Sequence, residues 1–266
     1  MKKIVPFVFL LFLSNSAFCQ NFEIKLFPEK KIFERHFADA ISHQVSLSKH
    51  FESTEWFANI GVNIPVFDVG LYNYDLQVSA ATTIYNTIIK TPGHIQVYTV
   101  DYLVDFYFDT KITNDIAARF IFGHLSAHFS DDGIVELGNS PISYVRDYIG
   151  LSGQYKIDKL NGKIYFTGFY NFHNEPPRNK HSTFQFGFDA GHYLLKSLKA
   201  YFAFDIKIKS EVNNGTTQSF QAGVIFPAEQ RFKFRLALTH RRGFEERGQL
   251  YYLKDIKNSL GIYIDF

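Results

Sequence analysis

The most constraining feature of this sequence is a polarity that switches at every residue over stretches too long for ordinary soluble strands. In 231–240, Arg231, Lys233, Arg235, Ala237 and Thr239 fall on one face, and Phe232, Phe234, Leu236 and Leu238 on the other. In 198–209, Tyr201, Ala203, Asp205, Lys207 and Lys209 oppose Phe202, Phe204, Ile206 and Ile208. Successive side chains of a strand point to opposite sides of a sheet, so each stretch has one apolar, strongly aromatic face and one charged face. Soluble strands average about 5–6 residues. These run longer, and their repetition is what a transmembrane antiparallel β-barrel requires.

Twelve such segments can be marked: 37–51, 55–69, 72–88, 94–112, 116–131, 143–158, 162–173, 182–194, 198–211, 217–228, 231–243 and 258–266. From the fourth onward the connections alternate short and long, with 132–142, 174–181 and 244–257 the long ones. Short turns on the periplasmic side and long loops outside are expected of outer-membrane barrels, and an even count returns both termini to the periplasm. Composition agrees: aromatics make up 18% of the chain, with 30 Phe and 16 Tyr.

Residues 1–19 have the layout of a secretory leader, with Lys2 and Lys3, an apolar run from Ile4 to Leu13, and small residues Ala17 and Cys19 before the expected cleavage. Cleavage there removes the sole cysteine, and with it thiolate chemistry, disulfides and cysteine-ligated metal. It also removes two positive charges from a formal net charge of +2, leaving no basic field to attract nucleic acid. Residues 20–36 are expected to be a periplasmic lead-in and 37–266 the barrel. The last strand resembles the C-terminal segment by which such barrels are passed to their insertion machinery, ending on Phe266.

Chemistry concentrates between Phe120 and Tyr148. His124, Ser126 and His128 alternate on one strand, and Arg146 and Tyr148 return on the next. The expected arrangement directs them into the outer half of the lumen as one polar cluster. A hairpin centred on Leu137 sets His128 opposite Arg146 and Ser126 opposite Tyr148. A two-residue turn at Asn114-Asp115 sets Asp105 opposite His124 and Asp101 opposite His128, whereas a one-residue change of register puts these acids on the other face. His124 and Ser126 lie ~7 Å apart at Cα, within side-chain reach; His124 and His128, at ~13 Å, are too distant to share one metal ion. No cofactor is expected. His43, His50 and His94 fall near strand ends without an assigned role.

Two resemblances attach to these residues. Leu26-Phe27-Pro28, Ile32-Phe33, Ala38-Asp39, His124-x-Ser126-x-His128-x-x-Asp131 and Ser143-Tyr144-Val145-Arg146-Asp147 resemble a family of Gram-negative outer-membrane β-barrels known as a domain of unknown function. His124-x-Ser126 is also similar to the catalytic pair of outer-membrane phospholipase A and lipid A deacylases. That resemblance implies Ser126 as nucleophile, His124 as base, outer-membrane lipid as substrate, and calcium only if the chain is a lipid hydrolase. Val145 stands where those enzymes carry an orienting Asn, and Gly138 where their spacing places the third member. Three classes therefore stay open: a binder or pore for a small polar or anionic solute, a structural barrel, and a lipid acyl hydrolase.

Overall fold

The computed structural model describes residues 22–71, 74–135, 138–177, 179–227 and 233–265; the leader, Leu137, Arg231 and Phe266 lie outside the described residues. Among the described residues thirteen strands form, beginning with β1 (Phe22–Leu26), β2 (Val45–His50), β3 (Glu55–Leu71), β4 (Tyr74–Thr91), β5 (His94–Lys111), β6 (Ile116–Phe129) and β7 (Tyr144–Ile157). After them come β8 (Gly162–Glu175), β9 (Ser182–Leu195), β10 (Leu198–Lys209), β11 (Gly215–Pro227), β12 (Lys233–Phe244) and β13 (Lys254–Asp265). Each of β2 to β13 pairs antiparallel with its sequence neighbours, and β13 pairs back onto β2, closing a twelve-stranded barrel. Closure leaves those strands no free sheet edge, as a membrane-spanning wall requires.

The wall is polar inside and apolar outside. Asp101, Asp105, Asp109, Arg119, Gln185, Asp205, Lys207 and Arg235 are buried in the lumen, while Phe106, Phe120, Phe122, Phe166, Phe186, Phe202, Phe234 and Leu236 are exposed outside. This inversion of a soluble core is the arrangement in which lipid solvates the outer face.

Some lumen charges pair within the wall, as Arg119 does with Asp109 (2.6 Å) and Lys163 with Asp189 (2.6 Å), and others are neutralised by two pieces of chain that enter from opposite rims. The near rim is the one where β1 begins and β13 ends. β1 and β2 lie end to end along one edge of β3, β1 pairing with Phe67–Leu71 and β2 with Trp56–Asn59. Between them, 27–44 leaves the wall and runs through the lumen. Gln77 Nε2 donates to Lys30 O (2.8 Å), the Arg119 guanidinium covers Phe33 (4.3 Å), and His36 stacks on Tyr165 (3.4 Å). Arg35 pairs with Asp265, Lys207 donates to Asp39 (2.7 Å), and His43 bridges Thr83 (2.7 Å) and Asp105 (2.8 Å). Alternation alone extended the first strand back to 37; the strand begins at Val45, because 37–44 satisfies lumen groups instead of wall partners.

From the far rim, the β12–β13 connection also turns inward rather than projecting outward as a long external loop. Glu245, Glu246, Arg247, Gly248, Gln249, Leu250 and Tyr251 are all buried. Glu246 meets Lys207 (2.8 Å), and Glu245 takes Arg241 (3.0 Å) and Lys257 (2.8 Å). Gly248 N donates to Asp101 (2.9 Å), and Gln249 Nε2 donates to the carbonyls of Ala127 (2.6 Å) and Ile142 (2.7 Å). A Cβ on Gly248 would overlap Tyr144 and Ala127, so glycine is what lets the loop descend this far.

Two outcomes are expected. Arg235 is 1% exposed and bonds Asp265 (2.6 Å), Gln221 (2.8 Å) and Gln44 (3.1 Å). Arg235→Ala strands those partners and should cost about 3–5 kcal/mol in urea unfolding from lipid vesicles. Burial alone would raise the carboxyls of Glu245 and Glu246. Arg241 and Lys257 beside Glu245, and Lys207 and Lys209 beside Glu246, instead hold both well below the ordinary range. Their stabilisation is complete above the unfolded-state value of about 4.3 and is lost as pH falls through the depressed folded values. Pepsin should therefore spare the loop near pH 4 and cut at Leu250–Tyr251 only in stronger acid. For Glu246→Gln, cutting at pH 4 is expected.

Candidate functional site

The structure divides the expected cluster between the two sides of the wall. Asp101, Asp105, Arg146 and Tyr148 are buried in the lumen. His124 and His128 are exposed outside, and Ser126 is half-buried on that same outer face. The expectation that His124, Ser126 and His128 face the lumen is overturned, and the cause is register. Asp105 lies opposite Gly123 and Asp101 opposite Ala127, one residue from the expected pairing. Instead of a two-residue turn, Thr113 Oγ1 accepts from the backbone N–H groups of Asp115 (3.2 Å) and Ile116 (3.0 Å), and Ile112 N donates to Ile116 O (2.9 Å). Cross-strand partners share a face, so this shift turns every side chain of β6 over. On the other flank a short helix, α1 (Asp131–Val135), makes the β6–β7 loop asymmetric. Leu125 then pairs with Arg146 and Ser126 with Val145.

The lumen half is held by buried hydrogen bonds. Asp105 accepts from Tyr148 (2.6 Å) and Tyr107 (2.8 Å) as well as His43. Gly123 stands where a Cβ would strike Asp105 and Tyr148, which explains the glycine beside His124. Arg146 pairs with Glu211 (2.9 Å), donates to the carbonyls of Val145 and Glu175 (both 2.7 Å), and lies over the Tyr144 ring (3.9 Å). Asp39, Asp105, Arg146, Lys207 and Glu246 are among the residues lining a cavity of about 170 Å3 between the inner segment and the inward loop.

The outer half is a different site. His124 Nδ1 lies 2.5 Å from Asp147 Oδ1, and the other carboxylate oxygen lies 2.9 Å from His173 Nδ1. The imidazoles are 47% and 50% exposed, so they open away from the wall. Glu175 follows at 3.7 Å from His173 Nε2. Just below, Phe122, Ile149 and Phe172 are exposed, and Phe122 stacks on Phe172 with ring centroids 5.9 Å apart. The polar cluster thus caps the apolar band toward the far rim. Among the described residues no hydrogen bond joins Ser126 to His124; the two sit two positions apart on the same face of β6. His128, higher on the strand, meets Tyr102 edge-on at 6.0 Å.

In the sequence Asp147 belongs to a motif without an assigned role, and nothing local marks His173. Neither stands next to His124 in sequence; only the β6–β7–β8 register brings the three together. His43, left without a role, turns out to be an Asp105 partner. Among the described residues no group of histidine, cysteine and carboxylate side chains is arranged to hold a metal ion.

No family model matches the chain, and neither does any curated protein. Among solved structures, the chain is similar to the NanC porin at 12% identity, with a TM-score of 0.44 over 84% of this chain and 98% of that one. It is also similar to OprD of Pseudomonas aeruginosa (9% identity, TM-score 0.34, covering 92% and 76%). OccAB1 of Acinetobacter baumannii resembles it too (10% identity, TM-score 0.37, covering 92% and 74%).

Proposed function

We propose that this barrel resides in the outer membrane, with both termini periplasmic, and hydrolyses acyl esters of outer-leaflet lipid on the outer flank of β6–β8. The observation that carries this reading is the His124–Asp147 contact on the lipid-facing side, with Ser126 two residues along the same face. A carboxylate on Nδ1 fixes the imidazole tautomer and leaves Nε2 as the nitrogen able to take a proton. Ser126 lies ~7 Å away at Cα, close enough for a rotamer change to bring its hydroxyl to that nitrogen. In the proposed cycle Ser126 Oγ bonds to the acyl carbon while its proton passes to His124. The ester C–O bond then breaks, and the departing alcohol takes that proton. Water, deprotonated by the same imidazole, releases the fatty acid and restores Ser126. Asp147 positions His124 and balances the charge that forms on it.

A second reading rests on the cavity of about 170 Å3, which would hold a small polar or anionic solute beneath the inward loop acting as its lid. The two readings separate experimentally. Purified barrel should release fatty acid from mixed detergent–phospholipid micelles or from lipid A, assayed with and without calcium. Ser126→Ala and His124→Ala should each lower the rate by roughly 10³ or more, and Asp147→Asn by roughly 10²–10⁴. No release from folded wild type under either condition would defeat the hydrolase reading. In planar bilayers the solute reading expects a nearly closed wild type and frequent openings in Glu246→Gln; a variant as closed as wild type would defeat it.

A further inference from the structure

On another side of the lumen, β2, β3, β11, β12 and β13 surround a second cavity of about 40 Å3. Ser46, Ser48, His50, Ser219, Arg241 and Lys257 are among the residues facing it. His50 and Ser219 are each 3% exposed, and neither ring nitrogen of His50 nor Ser219 Oγ has a partner. Buried polar groups are almost always hydrogen-bonded, so three unpaired atoms around one void mark a place where something small is held.

The charges indicate what that is. Arg241 and Lys257 each lie 5.0 Å from the centre of the Phe57 ring, Arg247 lies 4.5 Å from it, and His50 meets its edge at 4.4 Å. The carboxylates that answer these cations approach from elsewhere. Glu245 does so from the inward loop, and Glu55 reaches Lys257 at 3.1 Å. Asp39 is the carboxylate in the lining, and both its oxygens are engaged, one by Lys207 (2.7 Å) and one by Gln185 (3.0 Å). Ser46 Oγ already accepts from Asn59 (2.9 Å), which leaves its hydroxyl hydrogen to donate. The void therefore offers hydroxyl and imidazole donors beside cations, and the carboxylate in its lining is already engaged. Each water needs roughly 10–15 Å3 of such space, so a monatomic anion with a water or two fits, while a phosphorylated headgroup does not.

We propose that this cavity is a binding site for a single halide-sized anion, held by His50, Ser219 and the Arg241–Lys257 side of the lumen. It is separate from the lipid-facing site and does not depend on it. The test is a crystal of full-length barrel grown in bromide, with anomalous scattering measured at this position. An anomalous peak within hydrogen-bond distance of His50 and Ser219 Oγ is the expected result. Ser219→Asp, which supplies a fixed negative charge, should lose the peak. The unfolding midpoint of wild type should be higher in chloride than in methanesulfonate of equal ionic strength, with that difference lost in the variant. Ordinary water density without anomalous signal in wild type, or a peak retained in Ser219→Asp, overturns the proposal. If Ser219→Asp does not fold, the wild-type anomalous map and salt comparison decide.

Discussion

Lys207 sits where the two halves of the closure meet. Its ammonium is held at once by Asp39 of the inner segment and Glu246 of the inward loop. Buried charge is tolerated only when paired and hydrogen-bonded, and removing one partner leaves the other stranded at high cost. A lumen lined with Asp105, Asp109, Arg119, Arg146, Lys207 and Arg235 thus creates a demand that wall strands meet only in part. The segment and the loop meet the rest, which is why this lumen is occupied rather than open.

The wall was legible in the sequence because its cause is local. Lipid outside and polar groups inside impose a two-residue period, and that period alone placed most strand boundaries within two or three residues. The ends of the count were harder to read. Residues 37–44 alternate well enough to pass for strand, but Asp39 and His43 answer charges more than a hundred residues away or on other strands, which no local pattern records. The same limit explains the inward loop. Glu245-Glu246-Arg247 looks like an ordinary polar loop until Lys207, Arg241 and Lys257 are seen beneath it.

The site was only half legible for a related reason. The sequence singles out His124, Ser126, His128 and Arg146 as candidates for chemistry, yet the face of a strand is fixed by its turns. One residue of difference in the β5–β6 turn moves the histidines from the lumen to the lipid boundary. It also exchanges their neighbours, bringing Asp147 and His173 to His124 in place of Asp101 and Asp105. Two polar sites with separate surroundings result, where one mixed cluster was expected.

The split first strand carries a consequence for how the lumen is kept closed. Residues 27–44 are tethered at both ends, by β1 and by β2, to the same edge of β3. Their occupancy of the lumen is therefore unimolecular and indifferent to protein concentration. Short tethers of this kind hold a segment at an effective concentration on the order of millimolar. A competitor entering from the near rim must outbid that local concentration, and a segment displaced by it stays attached, ready to return when the competitor leaves.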